Sequence, residues 1–420
     1  MNVPRIIDAM NYVDDRYISG SIEYRRSVKK RINLWKYIAV AAYIVLILTA
    51  GVAGGWLLDF EADPNFMFPN TSFCETSDAY YGIVPSDAGN RIMYYAKSNG
   101  AHGILCAKVG CNHDSSDCNA LVYPTASGIS AYDGRLYWAA RDMDNDLAMS
   151  IFSLKLDGTD RQVVKVIPEE ELDGLNGSVY VKVHRGYMYF AGASYDDGMI
   201  RVTAEELSRH GDRITLLERA GDNIKMQMSG NKITMLIHST VTGENGIRKN
   251  TVEVYEWNTA ARVLTGIFSG EVPINVFDMR LDGEIVYLTG SDPEKKSIPS
   301  AVYCLDINSR EFSLKFDFSD VSEGFGCPYL SDGKVTAMSA DNSLVCVKDY
   351  DGNAVIYNDM SIFDNELKFV IEAIDADFTL SRRYIGANDK YLFFDYCDGR
   401  YLVAVPTDGR EPIYLWNSRH

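Results

Sequence analysis

The sequence predicts an all-β protein, a β-propeller, preceded by a short cytoplasmic helix and a single transmembrane helix. Three observations carry this prediction: an uncharged run from Tyr37 to Leu58, a turn-plus-strand unit that recurs about every fifty residues after it, and strands dominated by Tyr and Phe. They divide the chain into a basic leader (1–36), a membrane span (37–58), a linker (59–68) and an extracytoplasmic propeller (69–420).

The leader carries eight Lys/Arg against four Asp/Glu. Pro4 sits near a helix start, and Ile6, Met10, Val13 and Tyr17 follow at spacings of four, three and four, which puts them on one helical face. Gly20 ends that helix. So few residues cannot enclose a core, so the stripe must lie on the membrane or on a partner. Asp8, Asp14 and Asp15 oppose the membrane, which leaves a cytosolic protein as the expected partner of residues 1–20.

The Tyr37–Leu58 run is long enough to cross the hydrocarbon core at about 1.5 Å per residue. Arg25, Arg26, Lys29, Lys30, Arg31 and Lys36 precede it, and Asp59, Glu61 and Asp63 follow, so the N-terminus is expected in the cytoplasm and the body outside. A cleaved signal peptide would have a shorter head and a better small-residue site than Ala50 to Ala53. No cysteine directly follows the run, which argues against a lipoprotein anchor. A core helix would show a polar face, yet Thr49 is the most polar side chain in the segment, and Tyr37 and Trp56 sit near its ends as interfacial aromatics do. Gly51 and Gly55 offer a weak small-residue pairing face.

Net charge follows the same division. The chain totals −17, and a leader of +4 leaves −21 on the other 384 residues. An acidic body of this kind repels phosphate backbones and anionic lipid, so no nucleic-acid partner is expected.

The repeat is clearest at Asp133-Gly134 before Leu136-Tyr137-Trp138, Arg185-Gly186 before Met188-Tyr189-Phe190, and Asp282-Gly283 before Ile285-Val286-Tyr287. Gly230-Asn231, Asp332-Gly333, Asn388-Asp389 and Asp78-Ala79 begin weaker copies. Successive starts lie 55, 52, 45, 52, 50 and 56 residues apart, the length of a four-stranded propeller blade. A further strand and turn follow in most units, as in Ile151 to Leu156 before Asp157-Gly158 and Val252 to Trp257 before Asn258. Broad aromatic side chains suit the wedge between facing sheets, which accounts for 27 Tyr beside only 5 Trp. Seven blades are expected, with first and last sharing or abutting strands to close the ring. Six is the alternative, because Asp78 to Lys108 reads as an irregular hairpin and the unit from 185 to 230 holds a polar insert, Ala204 to His210, that reads as a short helix. A β-sandwich would not need so regular a spacing.

Signatures of catalysis are missing. The chain has no G-x-S-x-G elbow, no H-E-x-x-H and no Walker loop. Ser130 to Gly134 has the wrong glycine spacing for a sialidase Asp-box and reads as a hairpin turn. Asp142, Asp144 and Asp146 open like a calcium loop, but Leu147 replaces the turn glycine and Ser153 the closing glutamate, so a hairpin tip is expected there. Asn70-Thr71-Ser72 and Asn176-Gly177-Ser178 match glycosylation sequons, which matter only in a glycosylating host. No catalytic residue is assigned.

One cluster is chemically specific: Cys106, Cys111, His113 and Cys118, spaced C-x4-C-x-H-x4-C. Three thiols and an imidazole suit a closed tetrahedral structural zinc site, with the four-residue spans wrapping the ion. Outside the cytosol a disulfide staple competes, for example Cys111 with Cys118, leaving Cys106 free or bonded to Cys74. Free buried thiols are the third reading. Cys304, Cys346 and Cys397 sit in apolar strands as small core residues, and His184 and His238 sit in strands as packing or exposed residues.

The stretch Ile104-Leu-Cys-Ala-Lys-Val-Gly-Cys-Asn-His-Asp-Ser-Ser-Asp-Cys-Asn-Ala120, after an aromatic hairpin, resembles the first blade of uncharacterised single-pass β-propeller proteins of clostridial bacteria. Those are related to low-density-lipoprotein-receptor-like propellers of unknown function. The head, Ile7-Asp-Ala-Met-Asn-Tyr-Val-Asp-Asp-Arg-Tyr-Ile18, is similar to the leaders of membrane-bound anti-sigma-like proteins, although residues 1–36 contain neither Cys nor His and so lack the zinc motif H-x3-C-x2-C. The propeller resemblance brings no catalytic residues, and the leading functional expectation is a membrane-anchored extracytoplasmic binding or sensing module whose propeller face receives an unknown extracellular ligand and whose head contacts a cytosolic regulatory partner. A surface-glycan enzyme with carboxylates at the propeller mouth, and a structural envelope protein, are the alternatives.

Overall fold

The computed structural model describes residues 73–84, 89–123, 127–141, 148–168, 179–193, 197–208, 213–242, 248–291, 301–318, 329–331, 334–338, 344–358, 382–387, 391–396, 401–406 and 413–417. The leader stripe Ile6, Met10, Val13 and Tyr17, the 37–58 run, the linker, both sequons, the Asp142 to Asp146 run, Cys327 and Cys397 lie outside these residues. Among the described residues no helix is long and apolar enough to cross a membrane.

Consecutive strands pair antiparallel into seven sheets among the described residues. The first holds β1 (Phe73–Glu75), β2 (Ala79–Val84), β3 (Asn90–Ala96), β4 (His102–Ile104) and β5 (Leu121–Val122). The second holds β6 (Ser127–Tyr132), β7 (Arg135–Arg141), β8 (Met149–Lys155) and β9 (Gln162–Ile167), and the third β10 (Val179–His184), β11 (Tyr187–Ala193), β12 (Met199–Glu206) and β13 (Ile214–Ala220). The fourth is β14 (Asn223–Ser229), β15 (Lys232–Thr242), β16 (Arg248–Asn258) and β17 (Val263–Val272), and the fifth β18 (Asn275–Asp282), β19 (Ile285–Ser291), β20 (Ala301–Asp306) and β21 (Phe312–Asp317). The sixth is β22 (Tyr329–Ser331), β23 (Lys334–Met338), β24 (Leu344–Asp349) and β25 (Ala354–Asn358). The last is β26 (Arg382–Ala387), β27 (Tyr391–Tyr396), β28 (Tyr401–Pro406) and β29 (Ile413–Asn417).

The predicted turns at Asp78-Ala79, Asp133-Gly134, Arg185-Gly186, Gly230-Asn231 and Asp282-Gly283 each join the first two strands of a sheet, and those at Asp332-Gly333 and Asn388-Asp389 lie outside the described residues. At Asp133-Gly134, φ is +47° and +70°, the pair of positive values that a two-residue hairpin requires and that Asp and Gly tolerate. The second strands β7, β11 and β19 are buried through their middle five residues, as expected for a strand covered on both faces. Outer strands such as β13 and β17 are mostly exposed. Between third and fourth strands the register slips at Ile151/Phe152, Val202/Thr203, Val254/Tyr255, Val302/Tyr303 and Leu402/Val403. A bulge there strengthens the twist of these five sheets.

The cores lie between sheets. Trp138 and Phe152 join the first sheet to the second, Tyr137 and Phe190 the second to the third, and Tyr189 and Trp257 the third to the fourth. Leu236 and Val286 join the fourth and fifth, Phe318 and Val335 the fifth and sixth, and β22 packs on β26. The circuit closes where Phe73, Tyr80 and Met93 meet Phe393, Leu402 and Leu415. First and last sheets therefore abut, each built from its own consecutive strands.

The expected helix at Ala204 to His210 is corrected in its described part. Ala204, Glu205 and Glu206 end β12, paired with Tyr189, Met188 and Tyr187. Ala204 and Glu205 are buried, and their place between β11 and β13 outweighs the helical preference of Ala-Glu-Glu-Leu.

Candidate metal centre

The Cys/His cluster occupies an excursion in the outer edge of the first sheet. Both β4 and β5 pair with β3, with Ile104 opposite Met93 and Leu121 opposite Arg91. Ile92 between those partners holds both ends of the excursion: its carbonyl accepts from Leu105 N at 2.9 Å and its N–H donates to Ala120 O at 2.9 Å.

Within the loop, Cys111 N donates to Lys108 O at 3.2 Å across a turn in which Gly110 has φ +72°, and Cys118 N donates to Ser115 O at 2.9 Å. His113 takes a left-handed φ of +61°, and Arg91 Nε donates to its carbonyl at 2.8 Å. Lys108 Nζ reaches Asp117 O at 3.2 Å and its carboxylate at 3.4 Å, spanning the loop mouth.

These turns bring one donor atom from each of Cys106, Cys111, His113 and Cys118 to within 4.8 Å of one another. His113 Nδ1 lies 3.4 Å from Cys118 Sγ. Cys118 is buried and the other three are half-buried. Burial pushes the Cys118 thiol up to about 11, against the Ala120 N–H, with Cys111 and Cys106 adding to the rise. Burial acts the same way on Cys106, but the N–H groups of Lys108 and Asn119, with the Cys111 and Cys118 side chains, bring it below its ordinary value. Three sulfurs and one imidazole form a closed donor set with no position for substrate, so the chemistry it can offer is structural.

The second sheet supports the loop from behind. Gly158 O, in the turn between β8 and β9, accepts from Ala107 N at 3.2 Å and from Asn119 Nδ2 at 2.9 Å. Arg161 Nη1 donates to Cys118 O at 3.1 Å while its guanidinium lies 5.1 Å from the Phe152 ring centre.

The remaining described cysteines do not join this cluster; Cys74 and Cys346 are buried in strands, Cys304 is half-buried, and no disulfide joins any two of the six described cysteines. His184 Nε2 lies 2.8 Å from Gly230 O and His238 Nε2 3.3 Å from Asn250 Oδ1, both as packed strand residues.

Sequence reasoning missed the polar groups of the inner strands. Lys182 is 3% exposed and donates through Nζ to Ile129 O at 2.9 Å, and Gln227 bridges β14 to β18 through both amide atoms to Leu281. Lys225 pairs with Asp278 at 3.0 Å across the same two strands. Glu205, fully buried, pairs with Lys165 and lies 3.7 Å from Arg213. The one available signal was a charged residue inside an apolar strand, as in Val181-Lys182-Val183.

No family model and no curated sequence matches the chain. Among solved structures, it is similar to the β-propeller domain of the Trilobed protease from Pyrococcus furiosus, described as having an open velcro topology. That match has 13% identity over 86% of this chain and 98% of that one, with a TM-score of 0.50. A chain of a nidogen/laminin complex matches at 9% identity over 68% of this chain and 94% of its own, with a TM-score of 0.36. A prolyl endopeptidase matches at 9% over 84% of this chain, which spans 50% of the endopeptidase, with a TM-score of 0.47. The first likeness establishes a β-propeller fold and nothing beyond the fold.

Proposed function

We propose that this protein is a binding or sensing module without catalytic turnover, a seven-bladed propeller held outside the cell membrane by the 37–58 segment. Its leader contacts a cytosolic protein through Ile6, Met10, Val13 and Tyr17, in keeping with the resemblance to clostridial single-pass propellers and anti-sigma-like leaders. The observation that carries the reading is the inner rim. Lys182 to Ile129, Val183 N to Ser130 Oγ at 3.1 Å, Gln227 to Leu281 and Lys225 to Asp278 lock the first strand of the second sheet to that of the third and the first strand of the fourth to that of the fifth, a rigid frame on which a ligand face can rest. Glu205 is committed to Lys165 and Arg213, so this buried carboxylate serves packing. The charges flanking Tyr37 to Leu58 support the topology, and the acidic body supports a ligand other than nucleic acid.

Full-length protein in nanodiscs, screened against glycan and peptide arrays with a parallel turnover assay, tests the function. Saturable binding without turnover is expected. Glycan cleavage would favour a surface enzyme, and neither activity would favour a structural envelope protein. Protease added to wall-stripped cells should remove the body and spare an N-terminal tag; the opposite pattern reverses the orientation.

A further inference from the structure

We propose that Cys106, Cys111, His113 and Cys118 bind one zinc ion, and that this centre clamps the outer edge of the first sheet to the second.

The donor geometry favours a metal over a disulfide. Zinc holds sulfur at about 2.3 Å and imidazole nitrogen at about 2.0–2.1 Å, so the donors of a tetrahedral site stand about 3.5–4 Å apart. Four donors already within 4.8 Å of one another reach that shell by a contraction of under about 1 Å, with His113 Nδ1 and Cys118 Sγ already at 3.4 Å. A disulfide would use two of the four and give no reason for a thiol and an imidazole to converge on the same point.

The surroundings of the sulfurs point the same way. Backbone N–H groups of Lys108 and Asn119 face Cys106, and that of Ala120 faces Cys118. Amide donors aimed at sulfur are the outer-shell partners that metal-binding cysteines take. Three thiolates on Zn2+ leave one negative charge. Arg161, hydrogen-bonded to Cys118 O and lying over the Phe152 ring, and Arg91, hydrogen-bonded to His113 O, are cations placed to balance it.

Both ends of the loop are fixed at Ile92, and the neighbouring Ala107 and Asn119 are fixed to Gly158 of the next sheet. An ion at the centre would therefore make one cross-linked unit of β3, β4, β5 and the β8–β9 turn.

The test uses full-length protein in detergent. Metal analysis should find about one zinc per chain, and Co2+ in its place should give the visible bands of a tetrahedral site and a thiolate charge-transfer band. Thiol alkylation should require prior chelation. His113→Asn leaves every thiol in place, so a disulfide would survive it, whereas zinc retention against a chelator should fall by at least about 10-fold. Cys304→Ser should retain the metal. The proposal is overturned by wild-type protein without stoichiometric metal, by an intact mass showing a disulfide among these cysteines, or by unchanged metal retention in His113→Asn. Should that variant misfold, the wild-type cobalt spectrum and the chelator-dependent alkylation decide the matter.

Discussion

The carbonyl of Gly158 accepts the side-chain amide of Asn119 at 2.9 Å, which ties a hairpin of the second sheet to the residue following Cys118. Gly158 has φ +79°, and a Cβ added there would lie 3.1 Å from the backbone of Leu105, Cys106 and Ala107. Neither the conformation nor the space admits a side chain without movement.

Gly158→Ala should therefore destabilise this corner by about 1–2 kcal/mol from the left-handed conformation alone. Hydrogen exchange should show amides of 105–121 losing protection while β14 to β21 keep theirs. Unchanged protection in the loop would mean that the Gly158 contact does not hold it.

Glu205 is the anion shared by Lys165 and Arg213 and is itself fully buried. Glu205→Ala should lower stability by about 3–5 kcal/mol, since it leaves two cations beside each other in a covered site. Thermal unfolding checks this, and a loss below about 1 kcal/mol would place the pair in the class of weak surface bridges.

These residues also mark where the sequence stops being informative. Turn chemistry is local: Asp133-Gly134 and Gly230-Asn231 announce hairpins because their backbone angles favour those residues, and the five predicted turns among the described residues stand between the first two strands of a sheet. The types and spacing of the Cys/His set are local too. Its convergence is not, because it depends on Ile104 and Leu121 pairing with the same strand and on a glycine forty residues later. Ala204 and Glu205 read as helix for a related reason, since only the register with Tyr189 and Met188 makes them strand. Lys182 reads as surface until Ile129 and Cys74 are known to enclose it.

Stability should respond to pH through Lys182 and Cys74. Burial lowers the Lys182 ammonium from 10.5 to about 8, with Cys74 opposing. Between those values the unfolded chain holds a proton the folded chain has released, so stability rises with pH. Burial also raises the Cys74 thiol from 9.0 to about 12, and there the folded chain keeps the proton longer, so stability falls as pH climbs through that range. Denaturation should thus show wild type gaining on Lys182→Met from pH 8 to 9, and Cys74→Ala extending that gain toward pH 10.5. A flat difference across the window would mean that Lys182 titrates normally.

Ring closure makes the last prediction. Phe393 lies 5.0 Å from the Phe73 ring centre and 5.4 Å from that of Tyr80, and it is fully buried. No strand pairing crosses this junction among the described residues, so side-chain packing carries it. Phe190, equally buried between the second and third sheets, is backed by the bonds of Lys182 to Ile129 and Val183 to Ser130. Truncating either ring to Ala should cost about 3–5 kcal/mol. The two losses should differ in kind. Phe393→Ala should open β1 to β4 and β26 to β29 to hydrogen exchange while the other sheets stay protected, because the junction can part without breaking a sheet. Phe190→Ala should lower protection on both sides of its interface without freeing the chain ends. If Phe393→Ala weakens all sheets evenly, the ring unfolds as one unit and its closure is stronger than packing between abutting sheets provides.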